Sequence, residues 1–337
     1  MRHAYLVPRV GPRMVRWSSA LVAVAGAVLG GLACSKAPPP GEIASGEIAS
    51  EEIAPEEIAR VPTYTEGIVF DHDGNAYVSH DKFITRVTPS GEAAVWAETG
   101  SPNGHKVLAD GTHLVCDRLG SVFHLDRDGK VLGEASAECE GEPLRTPNDI
   151  CLDTPHQGFY FTDPGGSREK PAGTLHYVDS NGKTHLAAGE LFYPNGIVLR
   201  PGGKTLLVGE SMRNRIVEFD VLAPGKLGPP KVFAELPTKG PNQLDNKPDG
   251  MALDENGNLY VAHYGMGQVQ VLDPSGTLIR RISAGPVIFT SNVAFAGPER
   301  GRLYITGSIG PSEQTTGVLY RVKLNEVTGL NILPPTR

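Results

Sequence analysis

The 337-residue chain lacks most of the short signals that mark a catalytic class. It has 4 cysteines and no pair at C-x-x-C spacing, so neither a zinc ribbon nor a dithiol redox motif is available. No Gly-x-Ser-x-Gly elbow is present, which argues against a serine hydrolase of the α/β type. A P-loop is missing, and so is a dinucleotide fingerprint after a lone strand. Long helical patterns are scarce. Positive charge is not in surplus: 31 Lys and Arg against 38 Asp and Glu leave −7, a poor balance for nucleic acid and a mildly favourable one for a cation. Abundant instead are turn formers, 41 Gly and 28 Pro, many at regular positions. That pattern predicts an all-β chain of many short strands.

The amino terminus reads separately. Arg2, Arg9, Arg13 and Arg16 precede the apolar run Ala20 to Ala33, which ends in Gly31-Leu32-Ala33-Cys34. A basic stretch, a short apolar core and small residues make an export signal over 1–34, too short for a firm membrane span. Cys34 after Leu32-Ala33 resembles a bacterial lipobox, although Gly31 stands where that pattern usually has Leu. The expectation is an exported protein of the cell envelope or periplasm, lipid-anchored through Cys34, with cleaved soluble export as the alternative. Residues 35–60 read as a flexible acidic tether, with Pro38-Pro39-Pro40 followed by Glu-Ile-Ala repeats at Glu42, Glu47, Glu52 and Glu57. A period of five fits neither a helix face nor a strand. Cys116, Cys139 and Cys151 leave room for one disulfide of undetermined pairing, and Cys151 sits in an apolar strand.

From residue 61 onward a phrase recurs: Glu66-Gly67-Ile68, Asn103-Gly104-His105, Asn148-Asp149-Ile150, Asn195-Gly196-Ile197, Asp249-Gly250-Met251 and Asn292-Val293-Ala294. Each opens a strand, a turn and further strands, as in Gly250 to Leu253, Asn258 to His263, Gln268 to Leu272 and Thr277 to Ile282. A period in the forties with four strands per unit predicts a six-bladed β-propeller of four-stranded blades over 61–337. Ring closure stays open: residues 320–333 could complete the sixth blade, or the stretch near Ile58 to Val61 could add its outermost strand. In such a ring the phrase precedes the innermost strand, so its first residues gather at one mouth of the central channel. The long connections Asp163 to Gly173 and Pro237 to Lys247 fall on the same face.

Glu66, Asn148, Asn195 and Asp249 would then converge on the axis. Two carboxylates and two amide oxygens form a hard, all-oxygen set that suits one divalent cation, Ca²⁺ best and Mg²⁺ under tighter geometry. No Cys or multi-His set competes for a softer metal. Residues ending the second strands also reach the mouth: His80, Asp81, Asp117, Asp163, Glu210, Ser211, His263 and Tyr264. Among the histidines, His105 and His263 are the candidates for relaying a proton near neutral pH.

The segments around Glu66-Gly67-Ile68, Thr146-Pro147-Asn148-Asp149, Tyr193-Pro194-Asn195-Gly196 and Pro248-Asp249-Gly250-Met251 resemble the gluconolactonase family, which includes regucalcin (senescence marker protein). Thr290-Ser291-Asn292-Val293-Ala294-Phe295-Ala296-Gly297 is similar to the family's sixth-blade phrase. The resemblance spans 61–333. It implies a divalent cation, commonly Ca²⁺ and sometimes Zn²⁺, held by Glu66, Asn148, Asn195 and Asp249. It also implies hydrolysis of a sugar lactone, with phosphotriester or aryl ester hydrolysis as an alternative and a non-enzymatic, Ca²⁺-stabilised binding propeller as another. Asp249 is the candidate base. Some members carry an Arg two residues before the first metal Asn; here that place is Thr146, with Arg145 one further back. Asn103, His105, Arg145, His263 and Asn292 are expected to contact substrate or support the site. The expected partner is a small-molecule lactone, and the expected state is a monomer.

Overall fold

In this computed structural model, residues 54–239, 246–310 and 316–335 are described. The export signal, Cys34 and most of the acidic tether lie outside them. The described chain is nearly all β, with three single-turn 3₁₀ segments at Thr154–His156, Ser211–Arg213 and Pro298–Arg300. The six-bladed propeller read from the repeat is the observed fold.

We letter the strands of each blade A to D from the channel outward. Blade one is Thr65–Phe70, Ala76–His80, Phe83–Val87 and Ala93–Glu98. Blade two is Pro102–Val107, His113–Asp117, Ser121–Leu125 and Val131–Ser136. Blade three is Ile150–Asp153, Gly158–Asp163, Gly173–Val178 and Thr184–Leu191. Blade four is Pro194–Leu199, Thr205–Glu210, Arg215–Ala223 and Lys231–Glu235, with Lys226–Leu227 as a short extra edge. Blade five is Lys247–Leu253, Leu259–Tyr264, Gln268–Leu272 and Leu278–Ser283. Blade six takes Val287–Ala296, Arg302–Ile309 and Gly317–Lys323 from the carboxyl-terminal end of the chain.

The fourth strand of blade six is Glu56–Val61, antiparallel to Gly317–Lys323. This corrects the tether boundary: its last residues, Glu56 to Arg60, are sheet. A polar composition is compatible with an edge strand, whose outer side faces water. Glu57 accepts from the Tyr320 hydroxyl at 2.8 Å and Arg60 Nε at 2.6 Å. Strand pairing between chain segments some 260 residues apart closes the ring.

A lone blade exposes both sheet faces, and the apolar side chains on them meet at the blade junctions. Tyr160, Leu175 and Tyr177 of blade three pack on Leu206, Val208 and Phe219 of blade four. Val269, Val271 and Ile282 of blade five pack on Ile305, Val318 and Tyr320 of blade six. Each fully buried Val, Leu or Ile contributes about 1.5–3 kcal/mol, so the junctions hold the ring as a set. Cys116, Cys139 and Cys151 are buried free thiols, and no disulfide forms among the described residues. On the face away from the mouth, Leu330 N–H donates to Leu253 O at 2.9 Å and His72 Nε2 meets Pro334 O at 2.8 Å. The carboxyl-terminal segment thereby crosses that end of the channel.

Candidate active site

Strand A of each blade enters the sheet through a bulge. In blade one Thr65 pairs with His80 and Ile68 with Val78, so Glu66 and Gly67 together oppose Ser79. The same slip places Asn103-Gly104, Asn195-Gly196 and Asp249-Gly250 opposite Cys116, Gly209 and Ala262. A bulge re-aims side chains, and here it does so at the mouth. In blade three Asn148 N–H donates to Thr162 O and Thr162 N–H to Asp149 O, continuing the pattern.

Blade six departs from the sequence reading. Thr290 pairs with Gly307 and Val293 with Ile305, so the bulge is Ser291-Asn292. Ser291 therefore takes the place of Glu66, and Asn292 takes the place of the glycine. Asn292 Oδ1 accepts Val293 N–H at 2.8 Å, as Asp149 Oδ1 accepts Ile150 N–H at 2.8 Å in blade three. Ser291 Oγ is spent on Thr65 O at 2.6 Å. The sixth phrase is thus one residue out of register with the others.

The second bulge position explains the glycines. A Cβ on Gly196 would lie 2.1 Å from Asp249 O, and one on Gly67 2.3 Å from Asn103 O. Real atoms do not approach so closely, so only glycine lets neighbouring inner strands come into contact here. Hydroxyls on strand B lock the ring from behind. Ser79 Oγ donates to Asn103 O at 2.7 Å, Thr162 Oγ1 to Asn195 O at 2.9 Å and Thr306 Oγ1 to Glu66 O at 2.7 Å. Each ties the first bulge residue of the next blade. Glu66, Asn103, Asn148, Asn195 and Asp249 consequently stand at one level of the channel, on blades one to five.

Electrostatics single out Asp249. Burial raises its carboxyl well above the usual range, and the nearby charges of Glu66 and Asp149 push it the same way. The Asn195 side chain, hydrogen-bonding toward it, and the Arg118 guanidinium act in the opposite sense. A buried carboxylate in the field of a half-buried one favours a proton or a cation at that level. With Asn148 and Asn195 buried beside them, the donor set is all oxygen and fits a hard divalent ion. Among the described residues no group of three or more His, Cys, Asp or Glu could hold a metal, so any ion here depends on the amides. Asn103 Nδ2 is buried without a hydrogen-bond partner, a donor suited to water or a substrate oxygen.

Other expected residues lie elsewhere. His105 is buried between blades one and two, with Nε2 on Tyr77 O at 2.9 Å; burial, then His113 and Lys106, hold it well below the ordinary histidine range. His263 is fully buried, and burial lowers its pKa to about 4. Its Nε2 meets Asn214 Oδ1 at 2.8 Å and its Nδ1 meets Gln270 Nε2 at 3.2 Å, a polar tie between blades four and five. Burial and these hydrogen bonds make both histidines part of the blade packing and move them away from the near-neutral range that a proton relay uses. Arg145 is exposed at the rim, with Nη2 on Ala172 O at 2.7 Å.

Two cations that sequence reading missed act near the ring: Lys106, with Nζ 3.9 Å from Asp149 Oδ1, and Arg118. Arg118 lies in the turn after strand B of blade two, where its N–H donates to Ser101 O at 2.9 Å. Burial works against its charge, but Glu66, Tyr193, Tyr64 and Asp249 outweigh that and raise its pKa. The only available signal was its place directly after Asp117, at the end of a second strand.

Fold and site define a six-bladed propeller with an oxygen-rich centre at one channel mouth. The chain belongs to the SMP-30/gluconolactonase/LRE-like family, whose model matches residues 64–309. It is 29% identical over 239 residues to lactonase drp35 of Staphylococcus saprophyticus, covering 64% of this chain and 68% of that protein. It is 25% identical over 272 residues to diisopropyl-fluorophosphatase of Loligo vulgaris, covering 72% and 84%. Among solved structures, a calcium-binding regucalcin from Agrobacterium tumefaciens superposes with a TM-score of 0.70 at 24% identity, over 84% of this chain and 97% of that one. A luciferin-regenerating enzyme gives 0.69 at 19%, over 84% and 100%. These two likenesses bear on the fold.

Proposed function

We propose that this protein is a divalent-cation-dependent hydrolase that opens a lactone ring, with Ca²⁺ the best-matched ion and Zn²⁺ or Mg²⁺ the alternatives. The observation that carries the proposal is buried Asp249, in the field of the Glu66 carboxylate and in one ring with buried Asn148 and Asn195. The lactonase name of curated relatives supports the substrate class.

Glu66, Asn148, Asn195 and Asp249 would hold the ion. When bound, it would polarise the lactone carbonyl and stabilise the charge that develops on its oxygen. Asp249, oriented by Asn195, takes a proton from the attacking water. The water oxygen bonds to the carbonyl carbon, the ring C–O bond breaks, and the proton passes to the departing alkoxide. The product is a hydroxy acid. A carboxylate beside a cation is a weak base, so Asp249 contributes less than the electrostatic activation. Asn103 Nδ2 offers a hydrogen bond to the water or to a substrate hydroxyl.

The test is hydrolysis of glucono-1,5-lactone and a wider lactone panel by the purified protein, with metal analysis of the same sample. Turnover abolished by chelation, restored by Ca²⁺ and lowered about 10³-fold by Asp249→Ala is expected. Absence of turnover across the panel in metal-replete protein would sink the lactonase reading. Similarity to diisopropyl-fluorophosphatase favours a second reading, phosphotriester hydrolysis at the same centre, which diisopropyl fluorophosphate as substrate distinguishes. Export and lipid attachment at Cys34 belong to the proposal; Cys34→Ala should move the protein from the membrane to the soluble fraction.

A further inference from the structure

We propose that the far half of the channel is a second binding site, which takes a linear aliphatic carboxylate with its head group on Lys106. The site lies beyond the bulges, away from the mouth, and does not depend on the lactonase reading.

Register places the site. Three residues on from the first bulge position stand Val69, Lys106, Cys151, Val198, Ala252 and Ala294, at equivalent places in the pairing of strand A with strand B. Five blades put an apolar residue there, and blade two puts a cation. All but Val69 line one cavity of about 370 Å³. Small-molecule sites occupy roughly 300–1,000 Å³. Residues 330–335 strap the far end of this cavity. Leu330 N–H is held by Leu253 O of blade five, Leu333 packs on the junction of blades one and two, and Pro334 O meets His72 of blade one. Pro155 of blade three and Gly202 of blade four complete the rim.

The lining selects the ligand. Among the described residues, the charged side chains that line the cavity are Lys106 and Arg200, both cations. Arg200 is spent at the rim, on Gly257 O at 3.2 Å, on Pro274 O at 3.4 Å and over the Phe233 ring at 5.3 Å. Lys106 has 19% of its side chain exposed and carries three donors, yet makes one hydrogen bond, to His105 O at 3.2 Å. Its ion partner is Asp149, whose Oδ1 stands 3.9 Å from Nζ, beyond hydrogen-bond range. That carboxylate is tied to backbone instead: Oδ1 accepts Ile150 N–H at 2.8 Å and Oδ2 accepts Ile197 N–H at 3.4 Å. Asp149 therefore balances the charge of Lys106 and leaves donors unused. A head group that only accepts hydrogen bonds matches those donors, and a carboxylate does so with the stronger, charge-assisted bond. Leu199, Phe295 and Leu330 continue the apolar wall. An unbranched chain fits that wall, whereas a polyol would leave its hydroxyls unpaired there.

The experiment is calorimetry on the full-length protein, with and without added Ca²⁺, using octanoate, octan-1-ol and octylammonium as probes. Octanoate should bind one to one in both conditions and about tenfold more tightly than octan-1-ol, with octylammonium weakest. From butanoate to octanoate, each added methylene should tighten binding about fourfold. Lys106→Met keeps the stem and removes the ammonium; it should weaken octanoate about tenfold and leave octan-1-ol nearly unchanged, and Lys106→Arg should restore part of the loss. Val198→Phe enlarges the wall without altering charge and should weaken both probes. Circular dichroism checks the folding of each variant. Absence of octanoate binding overturns the proposal, as does equal affinity for octan-1-ol or an octanoate affinity unchanged in Lys106→Met. Binding that appears only with added Ca²⁺ belongs to the mouth and also refutes it. Should Lys106→Met fail to fold, Val198→Phe decides: weaker octanoate binding supports the site, and unchanged binding refutes it.

Discussion

Carboxylates at the rim and carboxylates at the centre of the same mouth have opposite fates. Asp117 and Asp163 end strand B of their blades, and each accepts three backbone N–H groups; Asp163 takes those of Arg145, Thr146 and Gly165 at 2.8–3.1 Å. Glu66 and Asp249 sit one strand inward, on the bulges, and Asp249 feels other carboxylates there. Their surroundings make the difference. Loop backbone curls around the rim acids and satisfies them, whereas Asp249 is buried in the field of Glu66 and Asp149, with the Asn195 side chain as donor. An acid wrapped in backbone N–H groups holds a loop; one set among like charges favours a proton or a cation.

The sharpest way to break this contrast is to remove one acid of each kind from the chelated protein. Asp163→Ala strands three N–H groups and should lower unfolding free energy by about 2–4 kcal/mol. Asp249→Asn relieves repulsion at the centre and should leave the chelated protein as stable or more so, while abolishing Ca²⁺ stabilisation. Urea denaturation with and without Ca²⁺ measures both, and a large loss from Asp249→Asn without metal would remove the distinction. Next in size is Gly196→Ala. Its Cβ must displace the Asp249 backbone, at a cost of about 1–3 kcal/mol, and the displaced ligand should also weaken Ca²⁺ binding.

The smallest effect separates packing from catalysis. Burial lowers the pKa of His113, His176 and His263 to about 4, against an ordinary value of 6.5. Neutral in the fold and protonated when unfolded below pH 6.5, they contribute stability that is full above 6.5 and lost as pH falls towards 4. Denaturation midpoints should drop over that window. His263→Gln should remove one histidine's share of that slope, leaving those of His80, His105, His113 and His176, and keep kcat within a few-fold; loss of turnover would return His263 to the chemistry.

Much of this was legible because it is local. Alternating apolar residues and Gly turns repeat at blade length, so blade five could be read almost strand for strand. The recurrent Gly67, Gly104, Gly196 and Gly250 marked the contact level of the inner strands. Asn292 misled because an Asn opens the phrase in blade six as it does in blades two, three and four; only pairing with Arg302–Ile309 shows that Ser291 stands where Glu66 does. Arg118 stayed hidden because a lone arginine in a turn carries no pattern. His105 and His263 looked reactive by type, yet burial lowers the pKa of both.

The sequence alone determined the number of blades, the phrase that opens each of them and the hard oxygen chemistry of the four inner residues, since each follows from a few consecutive side chains. Tertiary structure decided that Glu56–Val61 closes the ring, that rim acids bind backbone, and that Ser291 rather than Asn292 takes the first bulge position of blade six. Those outcomes depend on distance across a closed circle, where Thr65 meets Gly307 at 2.7 Å from 242 residues away. No stretch of neighbouring residues encodes such a meeting; only the completed ring brings it about.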